Sequence, residues 1–153
     1  MLWDLALTIH VANLDLYREL KSQYKPEEWR EQREKILTSW GTNPYAGQLY
    51  AEEKLYDRLL RHVQKHCRLS EVQQYESILK ANFPDELLQL YERIVTDIAV
   101  QGLGRPSYVK IVRILRKMKR LPGGPPFVQA LVGQWRQQYK RRRAMMEELD
   151  KLT

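Results

Sequence analysis

The stretch from Asn82 to Val100 reads NFPDELLQLYERIVTDIAV, and its periodicity decides the fold class. Asn82-Phe83-Pro84-Asp85 opens the longest regular helix of the chain. Leu87, Leu88, Leu90, Tyr91, Ile94, Val95 and Ile98 recur at helical spacing but cover more than one face. A helix apolar over so wide an arc is sandwiched between neighbours, as in the interior of a helical stack. Outward in both directions the same period continues, broken by Pro, Gly and Asn where helices stop or start, and strand signals are absent.

Toward the C-terminus, Gly102-Leu103-Gly104-Arg105-Pro106-Ser107 reads as a turn into a helix over 107–120. Its buried stripe is Tyr108, Ile111, Val112, Leu115 and Met118. Lys110, Arg113, Lys117 and Arg120 fall at i, i+3, i+7 and i+10 on another face. Pro122-Gly123-Gly124-Pro125-Pro126 is a break, followed by a helix with Phe127, Val128, Leu131, Val132, Trp135 and Tyr139. Met145, Met146, Leu149 and Leu152 close the chain at helical spacing behind Lys140-Arg141-Arg142-Arg143.

Toward the N-terminus, Ser70-Glu71 caps a helix through Tyr75, Ile78 and Leu79. From Tyr45 to Cys67 the pattern is a helical hairpin: a short helix, a tight turn near Glu53-Lys54, and a second helix with Leu55, Leu59, Leu60 and Val63. Lys25-Pro26-Glu27-Glu28 opens a helix with proline in its first turn and acids where the dipole favours them. It continues through Trp29, Arg33, Ile36, Leu37 and Trp40 and ends at Gly41-Thr42-Asn43-Pro44. The first segment, about residues 2–23, carries Leu5, Ile9, Leu16 and Leu20, with Asn13-Leu14-Asp15 as the point of interruption.

Pairs of helices joined by short breaks imply an all-α fold, a right-handed α-solenoid of stacked helical hairpins, tetratricopeptide-like, with seven to nine helices. No strict 34-residue repeat is legible. The chain of 153 residues reads as one helical-repeat domain, with N-terminal helices over 1–43 and the remainder over 44–153. Such a length buries roughly 68–70% of the unfolded surface, enough for a core without staples.

Composition excludes several classes. With 43% apolar and 29% charged residues and a mean hydropathy of −0.61, the chain is neither disordered nor membrane-spanning. No run approaches the ~20 apolar residues of a membrane helix, and no membrane partner is expected. The start Met1-Leu2-Trp3-Asp4 has no early basic residue, unlike a secretory signal, so a cytoplasmic location is expected. Cys67 is the one cysteine, which excludes an intramolecular disulfide and a cysteine-built zinc site.

From about Leu49 onward the order of features resembles the C-terminal helical region of bacterial SWIM zinc-finger proteins. The residues that carry the resemblance are Leu49 to Asp57 (LYAEEKLYD), Phe83 to Leu87 with Leu90-Tyr91, Tyr108 to Lys119 (YVKIVRILRKMK), and Tyr139 to Leu149 (YKRRRAMMEEL). They span roughly two-thirds of the chain; residues 2–43 match only in being helical. The Cys-x-Cys and Cys-x-His zinc motif of such proteins is missing. The resemblance therefore implies the tail of a larger protein whose finger lies upstream, and the family's zinc and binding roles pass to no residue here.

Chemistry-bearing constellations have plain structural readings. His62 and His66 stand at i, i+4 on one helix face, but Cys67 points about 100° from His66 and no third ligand is evident. They read as a solvated helix end favoured by the dipole, with no metal. Glu27-Glu28, Glu52-Glu53 and Glu147-Glu148 are adjacent in sequence and point apart on a helix, unsuited to paired acid–base work. Gly102-Leu103-Gly104 and Gly123-Gly124 lack phosphate-loop spacing and read as turns. Trp135, Tyr139, Tyr108, Tyr91 and Tyr56 fall on apolar stripes and read as core rather than as a base-stacking platform. No catalysis and no cofactor are expected.

Charge is the exception. The net +7 is uneven: no Asp or Glu occurs from Ile98 through Met146, a window holding 12 of the 26 Lys and Arg, so +12 there sits beside flanks summing to −5. Lys110, Arg113, Lys117 and Arg120, with Arg141, Arg142 and Arg143, form the candidate partner-binding face within 105–143. A solvated face, an acidic protein surface and nucleic-acid phosphates all fit this run. A protein-interaction or scaffold module is the expected function, with a nonspecific nucleic-acid-binding region as the alternative. Far-UV circular dichroism is expected to report at least about two-thirds helix; appreciable strand signal sinks the solenoid reading.

Overall fold

The computed structural model describes residues 14–40 and 46–152, with side chains from Tyr17 to Thr38 and from Ala46 to Leu152. Among the described residues all regular structure is helical, in ten segments. They are α1 (Leu14–Ser22), α2 (Pro26–Trp40), α3 (Ala46–Glu52), α4 (Tyr56–His66), α5 (Leu69–Gln74), α6 (Glu76–Asn82), α7 (Pro84–Gln101), α8 (Arg105–Lys119), α9 (Gly124–Gln138) and α10 (Arg143–Asp150). The fold is all-α. The expectations on Leu5, Ile9 and the 41–44 helix end fall outside the described residues, as do those on the Leu16 and Trp40 side chains. The segments group into two compact units, Met1–His62 and Val63–Thr153, the division falling inside α4.

In the first unit the core joins Tyr17, Leu20, Trp29, Ile36, Leu37 and Leu49, with Tyr24, Tyr50 and Leu55 packed against it. The Tyr17 and Trp29 rings meet edge-on at 5.4 Å. Into this aromatic cluster the chain inserts Glu53, whose side chain is 5% exposed. Its Oε1 accepts from Tyr17 Oη at 2.9 Å and Trp29 Nε1 at 3.3 Å, with Lys21 Nζ at 3.2 Å. Burial, first, and then the Glu53 charge push the Tyr17 hydroxyl pKa far up, so it remains a donor.

The expected turn near Glu53-Lys54 is a Schellman motif. Leu55 N–H donates to Tyr50 O at 2.8 Å, Lys54 N–H donates to Ala51 O at 3.2 Å, and Lys54 holds φ 58°. This closure fixes Glu53 at the end of α3, where it reaches α1 and α2.

In the second unit α7 is packed on one side by α5 and α6 and on the other by α8, as its wide apolar arc implies. Leu87, Leu88, Leu90, Tyr91, Ile94 and Val95 are buried. Ile98 is only half-buried, and the smaller Ala99 takes the inward position in the last turn. α8 touches α7, α9 and α10. Its expected stripe, Tyr108, Ile111, Val112, Leu115 and Met118, is buried, and Ile114 joins it because three neighbours widen the covered arc.

Three boundaries differ from the sequence reading. The single helix expected from Ser70 to Leu79 is kinked at Tyr75 (φ −104°, ψ 13°), although Tyr75 N–H still reaches Glu71 O at 3.1 Å. Burial of the Tyr75 ring outweighs one turn of ideal helix. α8 begins at Arg105 rather than 107, with Pro106 in its first turn. α9 begins at Gly124, so Pro125 and Pro126 sit inside the helix start, where no amide is forfeited, instead of in the break.

The α8–α9 connection leaves no room at Gly124, where a Cβ would fall on the Met118 carbonyl, whereas Gly133 on α9 has nothing within 4 Å. Gly124→Ala is therefore expected to destabilise by about 1–3 kcal/mol, and Gly133→Ala to stabilise by up to ~1 kcal/mol through helix propensity. Urea melts of the two variants check this; equal midpoints contradict the close approach of α8 and α9.

Candidate functional site

α8 organises the basic residues because its apolar arc is used up by α7, α9 and α10. Its remaining side chains divide between an edge that faces α10 and an edge that faces α6 and solvent. On the α10 edge, Arg105 donates from Nη2 to Glu147 Oε2 at 2.6 Å and from Nη1 to Glu148 Oε1 at 2.7 Å. Further along, Arg116 Nη2 reaches Lys151 O at 2.8 Å and Lys119 Nζ reaches Leu152 O at 3.3 Å. Cations at these last carbonyls match the negative end of the α10 dipole. Arg136 of α9 pairs with Asp150 at 2.9 Å.

Glu148 is the acid at the centre of this edge. Its side chain is 5% exposed, in a stripe otherwise made by Met145, Leu149 and Leu152. The hydrogen bond from Lys151 at 3.0 Å, and then that from Arg105, hold its carboxyl below the ordinary range. Arg105 does the same for Glu147. The only sequence signal for Glu148 is its position three residues after Met145 and four before Leu152.

Of the seven candidate residues, Lys110 and Arg113 are exposed on α8 and Arg120 is exposed just after its last residue, and among the described residues no ion pair reaches them. Lys117, half-buried, has its Nζ 3.5 Å from Glu76 Oε2 on α6. Arg141 is exposed and Arg143 lies 3.5 Å from Glu147. Arg142 points inward: it donates from Nη1 to Ala99 O, stacks at 4.1 Å on the Tyr139 ring, and lies 3.4 Å from where a Gly102 Cβ would stand. It clamps the α9–α10 turn onto the C-terminal end of α7. The structure thus brings Arg142 to the turn between α7 and α8, while Arg120 lies about 15 Å along the helix direction from Lys110.

The same end carries the three exposed large hydrophobics among the described residues: Val100 at 64%, Leu103 at 70% and Val109 at 39%. None stood out in the sequence, because two lie at a helix end and turn and the third is one apolar residue among many. The cations Arg105, Lys117, Arg136 and Arg143 pair with acids from outside the acid-free window, so the sequence charge block is partly neutralised in space.

The other constellations have structural roles. His62 is buried at 6% exposure with the Tyr50 ring 5.9 Å away, which corrects the solvated-end reading for that residue. Burial raises the Cys67 thiol pKa, and its Sγ lies 3.7 Å from Leu90 O. Among the described residues no three His, Cys, Asp or Glu side chains converge as a metal site. Trp135, Tyr108 and Tyr91 are in the core, and Tyr56 and Tyr139 are half-buried. No described helix is long and apolar enough to cross a membrane. Comparison with known families, characterised proteins and solved structures finds no match.

The depressed carboxyls of Glu147 and Glu148 contribute stability that is fully present above the unfolded glutamate pKa of about 4.3 and is lost as pH falls through their lower folded values. The Glu147→Gln/Glu148→Gln double variant lacks this contribution. It is expected to melt below the unmodified chain at about pH 7 and to lose less on acidification to about pH 3. Equal losses would mean that the Arg105 cluster adds nothing.

Proposed function

We propose that this chain is a non-catalytic protein-interaction module, a stack of helical hairpins of tetratricopeptide-like architecture akin to the C-terminal helical region of SWIM zinc-finger proteins. Its partner surface is acidic. The observation that carries the reading is exposed Val109 one helical turn before Arg113 on α8, with exposed Val100 and Leu103 in the turn that leads into that helix and with no ion pair to Lys110 or Arg113 among the described residues. An apolar centre with a charged rim suits a protein partner, whereas a phosphate backbone rewards charge alone. The rigid element is α8, held on three sides, so its outer arc is presented without ordering cost on binding. Two of the seven candidates, Lys117 and Arg143, enter with weak, partly exposed ion pairs that a partner can exchange.

Nucleic-acid binding is the competing outcome, and salt separates the two. Attachment through about five phosphates falls roughly 500-fold between 50 and 200 mM salt. Fluorescence anisotropy with duplex DNA is expected to give only sequence-indifferent binding, with Kd about 10⁻⁴–10⁻⁶ M at physiological salt. Reversal of Lys110, Arg113, Lys117 and Arg120 to Glu removes it and leaves the helical spectrum intact. Nanomolar binding to a defined sequence at 150 mM salt places the nucleic-acid reading first.

A further inference from the structure

The edge of α8 that faces α6 encloses a groove of about 260 Å³ lined by Glu76, Ser77, Lys80, Lys117, Arg120 and Leu121. We infer that this groove is the seat of an acidic side chain of the partner, a carboxylate that replaces Glu76 as the counter-ion of Lys117; the inference rests on the basic arc of α8 binding protein.

Three cations and one acid line the groove. Glu76 is held from beneath by the buried Tyr91, whose Oη donates to Oε1 at 2.9 Å, and from above by Lys117 at 3.5 Å from Oε2. The second distance is long for a charge-assisted bond, and the Lys117 side chain is 38% exposed. Lys80 and Arg120 are exposed and have no ion pair among the described residues. The groove therefore carries an excess of two positive charges, with the Ser77 hydroxyl at its wall as a further donor.

Glu76 decides the class of anion. Lys117 already holds a carboxylate, Glu76, at 3.5 Å, so a partner carboxylate is a like-for-like replacement there. Tyr91 keeps Glu76 satisfied when Lys117 turns away, so the exchange strands no buried charge. Beyond the groove, Arg113 and Lys110 continue the line along α8 at intervals of one helical turn. An extended strand presents same-side residues about every 6.6 Å, so an acidic segment lays about three carboxylates along the roughly 15 Å from Arg120 to Lys110. Lys80, on α6, lies outside the acid-free window and joins the site only through packing.

The test uses the full chain and a fluorescein-labelled peptide of about ten glutamates, read by anisotropy at low salt. Lys80→Glu/Arg120→Glu is expected to weaken binding by at least about tenfold, since it reverses two of the three groove charges. Glu76→Gln is expected to tighten it a few-fold by freeing Lys117, and by more than the same charge change at an acid outside the groove; equal gains at the two positions overturn the groove. Thermal melts and circular dichroism control for folding, and Lys80→Gln/Arg120→Gln replaces the reversal variant if that is unstable. Loss of binding in Lys110→Glu/Arg113→Glu but not in the groove variants overturns the groove and leaves the protein-interaction reading standing. No binding of the peptide by the unmodified chain overturns both. Displacement of the peptide by a phosphate-rich duplex at equal charge concentration, with Glu76→Gln indifferent, overturns the assignment to a carboxylate.

Discussion

Enclosure of α8 on three sides is the constraint from which the second unit follows. A helix in contact with α7, α9 and α10 buries Tyr108, Ile111, Val112, Ile114, Leu115 and Met118, and fully burying one such aliphatic side chain contributes roughly 1.5–3 kcal/mol. That arc consumes the apolar positions and forces every cation of the helix to one of two edges. The α10 edge satisfies its cations with glutamates and terminal carbonyls, while among the described residues the α6 edge meets one acid, Glu76. An uneven supply of counter-ions around one helix, rather than total charge, distinguishes a bonded edge from one available to a partner.

Buried carboxylates specify both units. Glu53 gathers Tyr17, Trp29 and Lys21 around an aromatic core, and Glu148 gathers Arg105 and Lys151 at the α8–α10 contact. Neither acid is isolated, so neither carries the cost of an unpaired buried charge. Each reads only one set of donors, which fixes how its helices approach. Adjacent Glu52 and Glu147 do different work at the surface, in a two-point bond from Arg18 and in a shared bond to Arg105. Glu53 and Glu148 are the inward members of these two pairs, but Glu147 and Glu148 converge on one guanidinium, which corrects the expectation that adjacent acids point apart.

For function, the consequence lies in what the Arg142 clamp brings together. By reaching Ala99 O and lying against Gly102 it sets the α9–α10 turn beside the α7–α8 turn. A charged segment and an exposed apolar turn separated by more than thirty residues thereby share one end of the unit. A protein partner would be rewarded by both kinds of surface, and a phosphate backbone by charge alone, which is the ground of the proposed interaction role.

The helical fold class was legible from spacing alone, because a 3.6-residue period with proline and glycine punctuation leaves little alternative, and the inward residues of α7 and α8 follow from the same period. The Glu53-Lys54 turn was legible for the same reason. Local rules also misplaced the prolines of α9 by treating them as a break, when a first turn tolerates them. Three-dimensional packing alone decided the rest. It kinked the chain at Tyr75 to bury a ring, drew His62 inward, and turned Arg142 from a surface charge into a clamp. It also brought Glu76, Glu147, Glu148 and Asp150 to a run of cations that has no acid of its own in sequence. Which charges remain for a partner is a property of pairs distant along the chain, and periodicity carries no information about such pairs.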